Sequence, residues 1–423
     1  MRVLIVSQHY WPETFRITNV VGALLEAGCD VTVLAGQPNY PEGRIFPGYH
    51  ALGCGSEIHP DGYRIYRVPV SPRGKGGAGR MIANYASFLV SSVLAGPWLL
   101  RREHYDVVFV YAISPILQGL TGAVIARIKG AAHVIWVQDL WPQSLQSTGF
   151  VKNETMLSAV GALTRFIYRQ AHLLLAQSPG FKKSLVEMMG ADVPVAYHPN
   201  PGDPPLGDRA RAKMPVLVLK PGFNVVFAGN LGTAQSLETV LDAAERLLAD
   251  PDIRIVLIGS GSRSDWLREE IARRNLTNVE LPGRFPGEAM PAILAQASAL
   301  LVTLTRAENF GLTVPSKIPT YLAAGKPIVA ALDGDGAEVI RLAGAGLTVP
   351  AEDASSLAAA IGVMKSLPDE ERGAMASAGR RYFDGHFAPD RLAQSLVRHF
   401  QQAIANRKGA KASPPQDGES PNG

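Results

Sequence analysis

The sequence predicts an α/β protein of two doubly wound halves, each a parallel sheet buried between helices. Three observations carry this prediction. Short continuous apolar runs alternate with stretches of helical period along the first 200 residues. Prolines 199, 201, 204, 205, 215 and 221 then interrupt the pattern. The same alternation restarts at residue 223. Continuous apolar strands joined by helices are expected where helices cover both faces of a parallel sheet.

The elements follow in order. Residues 3–7 form an apolar strand. Ile17, Val20, Val21, Leu24 and Leu25 then share one face of a helix. Gly28 stands where that helix should end, and residues 31–35 make the next strand. Further strands are expected at 107–110, 133–137 and 173–176. Residues 1–200 thus make a first domain and 201–222 a linker. The second domain, 223–388, opens with a strand at 224–228 and a loop at 229–235. Ser236 can cap the next helix, whose apolar face is Leu237, Val240, Leu241, Ala244, Leu247 and Leu248. Strands at 253–258, 279–281, 300–302 and 328–331 complete the series. A helix at 389–405 can cross back to the first domain, and residues 406–423 have the composition of a disordered tail. In open α/β sheets, ligands bind beyond the carboxyl ends of the strands, so a cleft between the halves is the expected site.

Composition narrows the function. Hydrophobic residues make up 47% of the chain and charged residues 18%, enough apolar material for two cores. A net charge of +4 suits phosphates or a lipid surface. No basic stripe with interleaved aromatics points to nucleic acid. Cys29 and Cys54 lack metal-ligand spacing and read as buried or half-buried thiols of a reducing compartment. The N-terminal run is too short for a signal peptide, which predicts a cytoplasmic protein. The histidines are scattered without zinc spacing. No Gly-x-Ser-x-Gly elbow suggests a serine hydrolase. Asp333-Gly-Asp335 reads as a glycine-flanked turn, so no metal site and no cofactor are predicted.

The strongest local signal is Glu308-Asn-Phe-Gly-Leu-Thr-Val-Pro-Ser-Lys-Ile-Pro-Thr-Tyr-Leu-Ala-Ala-Gly-Lys-Pro-Ile-Val329. Ser316 can cap a helix that ends at Gly325. Free amides at a helix start attract phosphate. Lys317 stands in the first turn, where the macrodipole disfavours a cation. A nearby anion would explain it; a capped surface helix with a solvated lysine is the alternative.

This segment resembles the donor-site signature of the family 4 retaining glycosyltransferases, which have the GT-B fold of two Rossmann-like domains facing across a cleft. Tyr10-Trp-Pro-Glu13, Gly28-x-Asp-Val-Thr-Val-Leu34, Gly36-Gln-Pro-Asn-Tyr-Pro41, Gly229-Asn-Leu-Gly232 and Gly259-Ser-Gly261 follow in the family's order. The likeness extends over residues 1–405. Gln138-Asp-Leu-Trp-Pro142 and Pro315-Ser-Lys317 further resemble the L-fucosamine transferase-like branch of O-antigen synthesis. The resemblance implies a metal-independent, retaining transfer from a nucleotide-diphosphate sugar, a UDP-N-acetylamino sugar, to a lipid-linked saccharide acceptor in lipopolysaccharide or exopolysaccharide synthesis. A nucleotide-sugar 2-epimerase and a non-catalytic nucleotide-sugar-binding partner share that architecture.

The departures from the family pattern assign the sites. The arginine and lysine that usually face the donor diphosphate are Asn230 and Gln235 here. The family's first glutamate is Glu308, whereas its second falls on Ser316 or Thr320. The usual acceptor-side histidine is Gln138. Lys317 is therefore the best remaining diphosphate partner, with Arg284 second. Donor binding is expected at Gly229, Asn230, Gln235, Gly259, Ser260, Arg284, Phe310, Gly311, Leu312 and Ser316. Asp139, Glu308 and Lys317 are the expected catalytic residues. Asp139, at a strand end, can orient an acceptor hydroxyl or serve as a turn or cap. Glu13, Arg16, Asn39 and Tyr40 are expected at the acceptor; an exposed Glu13–Arg16 ion pair is the alternative for the first two.

Residues 81–100 carry no charge, with Arg73, Lys75 and Arg80 before them and Arg101 and Arg102 after. The length would allow a membrane span, a buried core helix or a half-exposed helix in the membrane interface. The flanking arginines favour the last and hence a peripheral location on the inner face of the cytoplasmic membrane.

Overall fold

The computed structural model describes residues 1–74, 77–147, 153–202 and 217–409. Lys75, most of the expected linker (203–216) and most of the tail (410–423) lie outside the described residues. The chain divides into two compact units. Met1–Gln177, Lys182–His198 and the chain from Ala393 onward form the first; Ser178–Phe181 and Pro199–Leu392 form the second.

The first unit contains β1 (Arg2–Ser7), β2 (Asp30–Gly36), β3 (Gly55–Ile58), β4 (Arg64–Val68), β5 (Val107–Ala112), β6 (Ala132–Val137), β7 (Leu173–Ala176) and β8 (Val195–Tyr197). They form one sheet in the order β3-β4-β2-β1-β5-β6-β7-β8. All pairs are parallel except β3 with β4. Side chains alternate between faces along each strand. Val3, Ile5, Val31, Val33, Val107 and Phe109 point to one side, where the Ile17–Glu26 helix packs. Leu396, Phe400 and Ala403 of the Pro389–Arg407 helix join the same core. Phe400 meets Phe109 edge-on at 5.2 Å. On the other side, Gly96 of the Ala78–Leu99 helix packs against Leu34 and Ile125. Ser92 and Thr121 share a 2.7 Å hydrogen bond that joins this helix to Gln118–Lys129.

The second unit contains β9 (Phe223–Asn230), β10 (Ile253–Ser260), β11 (Val279–Gly283), β12 (Ala299–Thr303), β13 (Ile328–Ala331) and β14 (Gly346–Val349). This sheet is parallel throughout, in the order β11-β10-β9-β12-β13-β14. Val225, Phe227, Ile255 and Leu257 face one core, and Val226, Val256 and Ile258 face the other. Leu217 and Leu219, at the end of the expected linker, pack against the second of these.

Several expectations need correction. Strands β3, β4, β8 and β14 were not evident from the sequence, and β3 is antiparallel. Ser236 precedes its helix but does not cap it; its hydroxyl bonds Thr239 at 2.7 Å. Ser316 likewise makes no side-chain cap. Gly325 does close that helix in the left-handed conformation, with φ 63°. Cys29 is buried, but Cys54 is exposed.

Strand order fixes where ligands can bind. In the first sheet β2 lies on one side of β1 and β5 on the other. In the second, β10 and β12 flank β9 in the same way. Each is a topological switch point, where diverging loops leave a crevice at the strand carboxyl ends.

Candidate active site

At the switch point of the second unit, β9 and β10 end side by side, with Gly229 opposite Gly259 and Asn230 opposite Ser260. Both glycines have φ +142°, a conformation that L side chains rarely adopt. A Cβ on Gly259 would overlap the Gly229 carbonyl oxygen, and one on Gly229 would lie 2.9 Å from Lys317 Cε. The glycines therefore let the lysine side chain lie directly on the strand end. The Lys317–Ala324 helix that carries it is fixed to β9 through Tyr321, whose hydroxyl accepts from Ala228 N at 2.8 Å.

Lys317 Nζ donates to Gln235 Oε1 at 2.7 Å and sits 4.6 Å from the centre of the Phe227 ring. Among the described residues it has no carboxylate partner, and burial lowers its pKa to about 8. The loop carrying Gln235 is tied to β12: Thr303 Oγ1 donates to the Gln235 carbonyl at 2.5 Å, and Thr305 N to that of Ala234 at 3.0 Å. A partly dehydrated cation with only a neutral amide as hydrogen-bond partner is a ready anion site.

The Glu308–Gly311 helical turn follows β12 on the other side of this switch point. Glu308 is exposed, and its carboxylate has no partner among the described residues. Phe310 packs on the second unit's core, while the Gly311 carbonyl lies against Gly334. The Leu312 carbonyl accepts from Ser178 Oγ at 2.5 Å. Asp333 and Asp335 are engaged elsewhere. Asp333 accepts from Ala351 N at 3.1 Å and pairs with Arg306; Asp335 accepts from Gly180 N at 2.6 Å.

At the switch point of the first unit, Gln8 N donates to Gln118 Oε1 at 3.1 Å, joining the loops after β1 and β5. Glu13, only 3% exposed, receives the amides of Asn39 and Tyr40 at 2.6 Å each on one oxygen. Its other oxygen takes Tyr10 N and His9 Nδ1, both at 3.1 Å. Glu13 thus braces the loops after β1 and β2, and the exposed ion pair with Arg16 is not formed. The buried Nε2 of His9 has no partner among the described residues. Asp139 is bound across to the β5 loop, where one oxygen accepts from Ser114 N at 3.0 Å and Ser114 Oγ at 2.9 Å. Trp141 Nε1 donates to the same hydroxyl at 3.2 Å. Burial pushes Tyr111 up to about 12, with Arg16 lowering it and Asp139 raising it. Both charges therefore act on one tyrosine near the end of β5.

Comparisons with known proteins agree with this layout. Residues 14–201 match the family model described as a glycosyl transferase 4-like domain, and residues 222–364 the one described as glycosyl transferases group 1. A protein of Escherichia coli K12 described as a colanic acid biosynthesis glycosyl transferase, WcaI, is 24% identical over 77% of this chain and 82% of its own. One of Pseudomonas aeruginosa described as a glycosyltransferase, WbjE, is 26% identical over 66% and 71%. This chain is a family 4 glycosyltransferase of the GT-B fold. Among solved structures, a sucrose-phosphate synthase of Thermosynechococcus elongatus has a TM-score of 0.72 at 18% identity, covering 96% of this chain and 99% of that one. Anabaena HepE in complex with UDP has a TM-score of 0.67 at 15% identity, covering 95% and 100%.

Within this glycosyltransferase the expected donor residues are only partly gathered. Gly229, Asn230, Gln235, Gly259, Ser260 and Lys317 meet at the ends of β9 and β10. Arg284 is exposed on the loop after the edge strand β11, and among the described residues no hydrogen bond or ion pair joins it to that group. Ser316 is exposed beside Lys317. In the first unit Asn39 and Tyr40 hold their loop against Glu13, and Arg73 stacks over the Tyr40 and Tyr85 rings at 5.5 and 5.4 Å. Phe227, Thr303 and Tyr321, and also His9 and Ser114, went unrecognised from sequence, and Arg73 was read only as a cation flanking residues 81–100. Phe227, Thr303, His9 and Ser114 lie close to strand ends, which was the available signal for them; Tyr321, in mid-helix, carried none.

Proposed function

We propose that this glycosyltransferase transfers a sugar from a nucleotide-diphosphate donor to a lipid-linked saccharide, with retention and without a divalent metal. The observation that carries the proposal is the half-buried Lys317 ammonium, held on the end of β9 at a topological switch point with Gln235 Oε1 as its one hydrogen-bond partner among the described residues. A diphosphate replaces that amide with a full negative charge. Stabilising the departing diphosphate is then the largest electrostatic contribution, and Lys317 supplies it together with the amides of the adjoining loops. Glu308, exposed after β12 and with no partner for its carboxylate among the described residues, contacts the donor sugar. Asp139 keeps its second oxygen for an acceptor hydroxyl and orients it. Asp333 and Asp335 are already committed to backbone amides, which supports metal independence.

The UDP found in HepE supports a uridine donor, and the colanic acid role printed for WcaI supports a cell-surface polysaccharide product. The resemblance of Pro315-Ser-Lys317 to the L-fucosamine transferase-like branch favours a UDP-N-acetylamino sugar as donor. Titration of Lys317→Ala with a UDP-sugar and with uridine tests the donor site. The nucleotide sugar should lose affinity and uridine should not; equal loss for both would reject the assignment.

A further inference from the structure

The Ala78–Leu99 helix has two unlike faces. Asn84, Phe88 and Ser92 are buried at four-residue spacing, and Gly96 continues that line against the sheet. On the outer face Ile82, Val90, Leu94 and Trp98 are 63%, 56%, 74% and 61% exposed, with exposed Ala86 completing the stripe. At 1.5 Å per residue the stripe is roughly 24 Å long. No charged residue falls within 81–100, and exposed Arg80, Arg101 and Arg102 flank it. Arg101 lies 4.4 Å over the Trp98 ring. Beside this end, Lys129 bonds the carbonyls of Leu100 and Glu103 at 2.5 and 2.9 Å. That contact brings in exposed Arg127 and Ile128, the latter 58% exposed.

We propose that this face docks the protein on an anionic lipid surface, with the helix lying in the interface. A continuous exposed apolar strip of this size marks an interaction site. Flanking cations suit anionic headgroups, each arginine adding on the order of a fivefold gain in binding. A two-fold pairing of this face with a second copy would set arginines against arginines, because both ends are cationic. Spanning would pull Asn84, Phe88 and Ser92 from their places in the first unit.

The inner face gives the docking a purpose. Asn84 Oδ1 accepts from Gln8 Nε2 at 2.7 Å, while Nδ2 donates to Ser71 O at 2.7 Å and Asn39 Oδ1 at 3.4 Å. One helix therefore meets lipid on its outside and holds the loops after β1 and β2 on its inside. Those loops are the proposed acceptor side, about one helix diameter, ~10 Å, from the interface. The docking deepens the lipid-linked acceptor reading and rests on that reading for its role in catalysis.

Sedimentation with vesicles tests the docking, using phosphatidylcholine alone and phosphatidylcholine with an equal part of phosphatidylglycerol. The full chain should bind the anionic vesicles and be released by alkaline carbonate. The double variant Leu94→Gln, Trp98→Gln should bind them at least tenfold more weakly, with an unchanged melting temperature and UDP-sugar affinity. Arg101→Ala with Arg102→Ala should weaken binding to anionic vesicles and leave the weak binding to phosphatidylcholine unchanged. Absence of vesicle binding, binding indifferent to both variants, resistance to carbonate, or a dimer that the double variant dissociates would each overturn the proposal. Vesicle binding without transfer to lipid would leave the docking standing and remove the acceptor reading. Transfer to lipid by a protein that ignores vesicles would do the reverse.

Discussion

Alkaline pH should weaken donor binding through Lys317, and the size of the effect follows from its surroundings. Burial lowers its pKa from the ordinary lysine value of 10.5 to about 8. At about 1.36 kcal/mol per unit, holding the charged form costs the folded protein on the order of 3 kcal/mol. The unfolded chain keeps its proton up to the ordinary lysine range. This group's penalty is therefore present in full below about pH 8 and is relieved between there and the unfolded pKa. A bound diphosphate favours the ammonium and raises its pKa again. At pH 7 the lysine is already charged, and binding takes up almost no proton. Near pH 9 roughly nine in ten free molecules are neutral, so binding takes up close to one proton and weakens about tenfold, ~1.4 kcal/mol. Calorimetry with a UDP-sugar, whose phosphates do not titrate here, in two buffers of different ionisation enthalpy measures both quantities. In Lys317→Met the proton uptake and the pH dependence should disappear together. Equal affinity at pH 7 and 9 in the parent protein, or uptake that survives in the variant, would rule out Lys317 as the titrating group at the diphosphate.

Other outcomes follow from the same contacts. Asp139→Asn should cut turnover at least tenfold, ~1.4 kcal/mol of barrier, with a near-normal melting temperature because the amide oxygen can still accept from Ser114. Glu308→Gln should do likewise and retain part of its donor affinity, because the exposed carboxylate supports no other group. Glu13→Gln should instead lower the melting temperature by the equivalent of about 1–3 kcal/mol, because an amide nitrogen would face buried backbone donors. Phe400→Ala should cost about 3–5 kcal/mol by opening the first unit's core, as urea unfolding would show. Activity should persist in EDTA; complete loss reversed by added metal would direct attention back to Asp333 and Asp335.

The fold was legible where burial is two-sided. β1 and β5 read as continuous apolar runs, and β6, β9 and β10 as apolar runs after a single polar residue (His133, Asn224, Arg254), because helices cover both faces. The hairpin of β3 and β4 was not, since it lies at a sheet edge and its exposed Ile58 and buried Arg67 blur the pattern. Arg67 is stabilised there by Glu57 at 2.8 Å, a partner three-dimensional pairing alone reveals. Lys317 stood out in the sequence because a lysine in a first helical turn opposes the dipole. Glu13 was placed near the right loops but its role was missed, because the amides it accepts belong to residues 39 and 40. Ser236 looked like a cap by residue type, yet its left-handed backbone, φ 47°, turns the hydroxyl toward Thr239.

The proposed reaction is transfer of a sugar from a nucleotide-diphosphate donor to a lipid-linked acceptor. Incubating the full chain with bacterial membranes and labelled nucleotide sugars, in EDTA, tests it most directly. Label should appear in the solvent-extractable lipid for one UDP-sugar, with the anomeric configuration of the donor kept and the signal lost in Lys317→Ala. Isomerised donor with no labelled lipid, or donor binding with neither product, would contradict it.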